Sequence, residues 1–175
     1  MRAVAIGIVL LVSLLWCALT DAVSGESAFT VGYGFGLANG SKMERIENGL
    51  HYDFFQLSYV YEKVFTERIS LGIEPIVTID NRPDRGLDIG SSVYLKSYLT
   101  ATASGLYLVT GAGGAYTSLK FQEQGTHELF ILQGGLGYRR GRLFVENRFF
   151  HYSNGGLAKP NRSVNSNIVR IGCYF

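Results

Sequence analysis

The sequence predicts an all-β fold: an eight-stranded antiparallel transmembrane β-barrel of the outer-membrane type. Three observations predict it. Apolar side chains recur with period two instead of 3.6. The connections between strand-length segments alternate between short and long. The one long apolar run stands at the N-terminus, where an export signal belongs. Composition agrees, since 47% of the 175 residues are hydrophobic and only 17% are charged, with 22 Gly, 11 Tyr and 11 Phe. Such a Gly- and aromatic-rich mixture suits a membrane sheet better than a soluble enzyme. A formal net charge of +2 gives little whole-molecule attraction for nucleic acid.

The first element is the expected signal peptide, residues 1–25. Arg2 precedes an apolar run from Ala3 to Leu19, broken only by Ser13, and small residues follow at Ala22 and Gly25. Basic start, apolar middle and small-residue zone predict cleavage near residues 22–25, leaving residues 26–175 as a single barrel domain. An uncleaved anchor is the competing reading, against which the run is short for a bilayer span. Trp16 stands where a lipoprotein signal would place a small residue before Cys17. Cleavage removes Cys17 and leaves Cys173 alone, so no disulfide framework is expected.

Eight strands are then predicted, at 28–37, 50–62, 68–78, 87–99, 105–117, 127–139, 142–153 and 164–175. In the first, Phe29, Val31, Tyr33, Phe35 and Leu37 share one face, while Thr30, Gly32, Gly34 and Gly36 share the other. In the last, Val169, Ile171, Cys173 and Phe175 form an apolar file. Each segment is long enough to cross a bilayer at a tilt, which takes roughly 9–11 residues. Lys63–Phe65, Thr100–Ser104 and Arg140–Gly141 are the expected short links. Ala38–Gly49, Asn81–Arg85, Leu119–Gly125 and Asn154–Arg162 are the expected longer loops. Short turns belong on the periplasmic side and long loops outside. The terminal Phe175 resembles the signal by which Gram-negative barrels are recognised for assembly, which makes the barrel-assembly machinery an expected partner.

Small barrels fill their lumen with side chains. The sparse face carries Glu74, Asp88, Lys96, Glu146, Arg148 and Arg170. They are expected to form a paired interior network, because an unpaired buried charge is costly, with a place for some of them on a watery rim as the competing reading.

The chemistry is expected at His151-Tyr152-Ser153-Asn154-Gly155-Gly156-Leu157, followed by Lys159-Pro160-Asn161. Two residues apart on one strand, His151 and Ser153 point to the same face with Cβ atoms ~7 Å apart. An imidazole at that distance can take the proton that keeps a serine hydroxyl weakly nucleophilic. Leu143, Val145 and Phe149 share this face, so it looks into lipid, with Asn147 as the polar exception. A base and a nucleophile on the lipid side suit a lipid substrate.

This run closely resembles the signature of the PagL-type lipid A 3-O-deacylases, a His-x-Ser-Asn-x-Gly stretch with a following Pro-Asn. The resemblance is close over about 25 residues, and the barrel plan and Phe175 extend it loosely over residues 26–175. It implies an outer-membrane serine esterase that hydrolyses the 3-O-linked acyl chain of lipid A, acting towards the outer leaflet of a Gram-negative bacterium. It implies Ser153 as nucleophile, His151 as general base, and Asn154, Gly156 and Asn161 near an oxyanion hole. Lipopolysaccharide and outer-membrane lipids are the implied partners, a homodimer is allowed, and no metal or organic cofactor is implied. One departure stands out. The family's acidic triad position, fourteen residues after the histidine, is Asn165. Asn165 lies on the same face as Val169 and Ile171, so it can reach His151. Its amide oxygen can accept the imidazole N–H, as in Cys-His-Asn enzymes, but it brings no charge; an ordinary strand-start residue is the competing reading of Asn165.

His51 and His127 are read as rim hydrogen-bonding residues, and no spacing makes a zinc site of them. Gly111-Ala112-Gly113-Gly114 and Gly32-x-Gly34-x-Gly36 are read as tight strand packing, since neither lies between a strand and a helix. Lys42, Arg45, Arg82, Arg85, Lys159 and Arg162 are placed in external loops, where they could meet lipid A phosphates or simply line a solvated rim. Two other functions compete with the esterase. One is a non-enzymatic barrel with an envelope-structural or adhesive role, and the other is transfer of the acyl group to another acceptor.

Overall fold

The computed structural model describes residues 25–37, 52–82, 84–100, 103–119 and 124–175. Most of the expected signal segment, the 38–49 loop with Lys42 and Arg45, and His51 lie outside the described residues. The elements are β1 (Glu26–Leu37), β2 (Asp53–Thr66), β3 (Ile69–Arg82), β4 (Gly86–Tyr98), β5 (Gly105–Thr117), β6 (Glu128–Arg140), β7 (Leu143–Ser153) and β8 (Val164–Tyr174). Each pairs antiparallel with its sequence neighbours, and β1 pairs with β8 to close the barrel. Closure leaves no strand edge unpaired, as a hydrocarbon environment demands.

The alternation read from the sequence is the in–out pattern of the wall. On β1, Phe29, Val31, Tyr33, Phe35 and Leu37 are exposed, and Ala28 and Thr30 are buried. On β8, Val169 and Ile171 face out while Ile168, Arg170 and Tyr174 face in. Inward glycines make room for rings. A Cβ on Gly34 would meet the Phe54 ring at 2.1 Å, and one on Gly172 would meet the Phe144 ring at 2.2 Å.

The lumen is a plug of side chains. Glu62, Glu74 and Glu146 face Lys96, Arg148 and Arg170, so charge balances among these six side chains. Arg148 Nη1 donates to Glu74 at 2.9 Å, and Arg170 Nη1 donates to the same carboxylate. Arg170 Nε reaches Glu146 at 2.5 Å, and Lys96 reaches Glu62 at 2.8 Å. Tyr107 and Tyr174 add hydroxyl donors to Glu146 and Glu62 at 2.6 and 2.8 Å. Two apolar clusters belong to the same interior. One is built on Val60, Tyr94, Val109 and Phe144, the other on Phe54, Ile131, Phe150 and Ile168.

The network differs from expectation in one member at each end. Glu62 belongs to it, and Asp88 does not. Asp88 lies diagonal to Asp80, toward the end of the barrel that carries the long connections.

Two strand ends also differ. β2 runs to Thr66, so its turn is Glu67–Arg68 instead of Lys63–Phe65. The Thr66 hydroxyl accepts the backbone N–H groups of Arg68 and Ile69 at 3.2 and 3.1 Å, which closes the turn there. β3 runs to Arg82 and absorbs the start of the expected 81–85 loop. Asn81 and Arg82 are held in the strand because both donate to Asp53 of β2, Asn81 at 3.1 Å. Arg82 is therefore an ion-paired strand residue, although it is exposed, as are Arg85, Lys159 and Arg162 of the connections.

Candidate active site

His151 and Ser153 close β7, on its lipid-facing side, and both are half-buried. The register sets Leu132 of β6 and Asn165 of β8 on either side of His151, and Phe130 beside Ser153. Directly opposite residues in a sheet bring side chains into contact. Here the contact is a hydrogen bond of 2.8 Å between His151 Nδ1 and Asn165 Oδ1. A carbonyl oxygen only accepts, so Nδ1 carries a proton, and in the neutral ring the lone pair is then on Nε2. The ring is thereby fixed in the tautomer in which Nε2 is a base. Among the described residues none is hydrogen-bonded to the Ser153 hydroxyl; Ser153 is two residues further along the same face, which sets the two Cβ atoms ~7 Å apart. Such contacts often tighten only when substrate is bound.

The loop after Ser153 is organised from inside. Asn154 points away from lipid and is fully buried. Its Nδ2 donates to the carbonyls of Ala158 and Pro160 at 3.0 and 3.2 Å and to that of Gln124. Its Oδ1 accepts the Gly156 N–H at 2.8 Å, an Asx-type turn made possible by positive φ at Gly155 and Gly156. The Asn154 N–H goes to Asn161 Oδ1 at 3.1 Å.

The three residues expected near an oxyanion hole therefore divide. The N–H groups of Asn154 and Gly156 are already donated within the loop, so those two residues shape it. Asn161 is exposed, and its oxygen anchors it to the backbone next to Ser153. That anchoring leaves its NH₂ group as a donor.

His127 is a rim residue as expected. Its Nδ1 lies 2.8 Å from the Thr117 carbonyl, and its ring stacks on Tyr116 at 5.5 Å. Among the described residues no group of three or more His, Cys, Asp or Glu side chains could hold a metal ion. The polar exception on the lipid face, Asn147, is matched by Asn167. Their amides exchange two hydrogen bonds, of 2.8 and 3.1 Å. Sequence reasoning missed Gln124, which is buried and bonded to the loop around Ser153. A glutamine in a polar loop carries no signal that would have singled it out.

A family model for lipid A 3-O-deacylase (PagL) matches residues 32–174. The chain belongs to this family. No curated protein sequence matches it. Among solved structures, that of the outer membrane enzyme PagL superposes with a TM-score of 0.57 at 18% identity, covering 82% of this chain and 98% of that one. A de novo designed transmembrane β-barrel superposes with a TM-score of 0.58 at 11% identity, covering 89% of this chain and all of the design. The outer membrane protein Ail of Yersinia pestis gives 0.53 at 14% identity, covering 87% of this chain and all of the other. A designed barrel fits as well as an enzyme, so these likenesses establish the outer-membrane barrel fold alone. Membership of the PagL family rests on the sequence match, which spans the His151–Asn165 segment.

Proposed function

We propose that this outer-membrane protein is a serine esterase that hydrolyses the 3-O-linked acyl chain of lipid A. Ser153 is the nucleophile, His151 the general base and Asn165 the group that orients His151. The observation that carries this reading is the 2.8 Å hydrogen bond from His151 Nδ1 to Asn165 Oδ1 on the lipid-facing wall, beside Ser153. It leaves Nε2 free to accept the Ser153 proton as Oγ attacks the ester carbonyl. The oxyanion that forms is met by the Asn161 NH₂ group, on a loop braced by Asn154. Collapse breaks the ester C–O bond, and the departing sugar 3-oxygen takes from His151 the proton that Ser153 gave up. Water, deprotonated by the same imidazole, then releases the fatty acid and regenerates Ser153.

The lipid orientation of the pair is what suits such a substrate. Phe130 and Leu132 lie beside it on β6, so an acyl chain reaching Ser153 stays against an apolar wall. The test is mass spectrometry of lipid A from cells expressing the protein, beside Ser153→Ala and His151→Ala variants. Loss of one 3-hydroxyacyl chain is expected, and each substitution should lower it by about 10³-fold or more. Unchanged lipid A in all three, with the barrel assembled, would leave an inert barrel instead.

Two further points belong to the same proposal. Residues 1–25 act as a cleaved export signal, a reading supported by β1 beginning at Glu26, just past the small-residue zone. Intact mass of the membrane-extracted protein checks it. The exposed terminal Phe175, stacked on Phe29 at 5.4 Å, is the feature offered to the barrel-assembly machinery.

A further inference from the structure

The described residues of the β5–β6 connection hold the loop that follows Ser153. Gln124 lies in that connection and is fully buried, although it sits at the open, loop-bearing end of the barrel. Its Nε2 donates to the Tyr152 carbonyl at 3.3 Å and to the Arg162 carbonyl. Tyr152 is the residue between His151 and Ser153, and Arg162 is the last part of the loop before β8 brings in Asn165. One side chain therefore ties the exit of β7 to the entry of β8. The Gln124 backbone carbonyl in turn accepts from Asn154 Nδ2.

The next residue adds contact of a different kind. Gly125 has φ +60°, and a Cβ there would stand 2.5 Å from the Lys159 carbonyl oxygen and 2.7 Å from its carbon. Backbone packs on backbone, with no room for a side chain. Losing the Gln124 donors is costly, because the buried Tyr152 carbonyl then lacks that partner and the Arg162 carbonyl is no longer held to it. Reaction rate is sensitive to displacement of positioned groups on the scale of an ångström.

We propose that Gln124 and Gly125 are positioning residues, a clamp by which the β5–β6 connection fixes the Ser153–Asn161 loop in its reactive geometry. This inference rests on the esterase reading for its kinetic consequence but not for its mechanical one. The test uses the full barrel in detergent micelles and the variants Gln124→Met, Gln124→Glu and Gly125→Ala. Methionine keeps the shape and removes the donors. Glutamate turns an acceptor toward two carbonyls. Alanine pushes on Lys159.

Two quantities are read. The first is the rate of tryptic cleavage after Arg162, whose carbonyl Gln124 holds; it should rise at least fivefold in both Gln124 variants. The second is deacylation per folded barrel, with the folded fraction measured by heat-modifiable electrophoretic mobility. All three variants should show kcat lowered about ten- to a hundredfold, KM within threefold and an unchanged folded fraction. A structural residue that only stabilised the barrel would lower the folded fraction and leave kcat per folded barrel intact. Unchanged cleavage after Arg162, or an unchanged kcat in variants that cleave faster, overturns the clamp. Absence of deacylation in the unsubstituted protein overturns the esterase reading instead, and the clamp is then decided by the cleavage rates.

Discussion

At Asn165 one atom separates this site from a charged triad. The amide oxygen accepts the His151 N–H at 2.8 Å, so tautomer and ring orientation are supplied. A carboxylate would add attraction for the imidazolium that the proposed mechanism forms as Ser153 gives up its proton. Hydrogen bonds to charged groups contribute about 1 kcal/mol more than neutral ones, and that gain falls mainly in the transition state. Asn165→Glu should therefore raise kcat about fivefold, while Asn165→Leu, which frees the ring, should lower it below the unsubstituted protein. Steady-state deacylation of purified lipid A measures both, and a loss with glutamate would remove Asn165 from the orienting role. At this scale the strand-borne residues were legible in advance. Period two and register suffice to put His151, Ser153 and Asn165 on one wall. The loop residues were not. Asn154 and Gly156 spend their N–H groups within the loop, and Gln124 acts from a segment 27 residues before His151.

Among the elements, strand identity and facing were legible because lipid and lumen impose opposite demands on alternate residues. Strand ends were not, because individual side-chain hydrogen bonds, local at Thr66 and tertiary at Asp53, set them. The Thr66 hydroxyl closes the β2–β3 turn, and Asp53 keeps Asn81 and Arg82 in β3. The β7–β8 pair shows the same rule on the lipid face, where Asn147 and Asn167 satisfy each other. Replacing one of them by leucine strands the other amide in hydrocarbon, at a cost of about 1 kcal/mol. Replacing both removes the polar groups together and should be neutral or stabilising. Urea unfolding followed by tyrosine fluorescence in lipid vesicles would compare the single and double variants. Equal losses that simply add would show that the two amides are not coupled.

Across the whole molecule, the lumen and the lipid-facing site are two sides of one register. Glu146 of β7 and Arg170 of β8 are direct partners across the ladder, as are His151 and Asn165 five residues further along. The inward pair forms an ion pair at 2.5 Å, and the outward pair the hydrogen bond at 2.8 Å. A slip of one residue would turn every side chain to the other face, which the buried ion pair forbids. Arg170 also bonds to Glu74, so the charge cage reaches from β7 and β8 across to β3. Arg170→Met leaves three buried carboxylates facing two cations, and removing one partner of a buried pair costs about 3–5 kcal/mol. The variant should lose heat-resistant folded barrel at a lower urea concentration, and its deacylation should fall with the folded fraction. Adding Glu74→Gln restores the charge balance and should recover a substantial part of that stability, since partners in one network couple strongly. If the double variant is no more stable than Arg170→Met alone, the cage is not what holds β7 against β8, and the geometry at His151 has another origin.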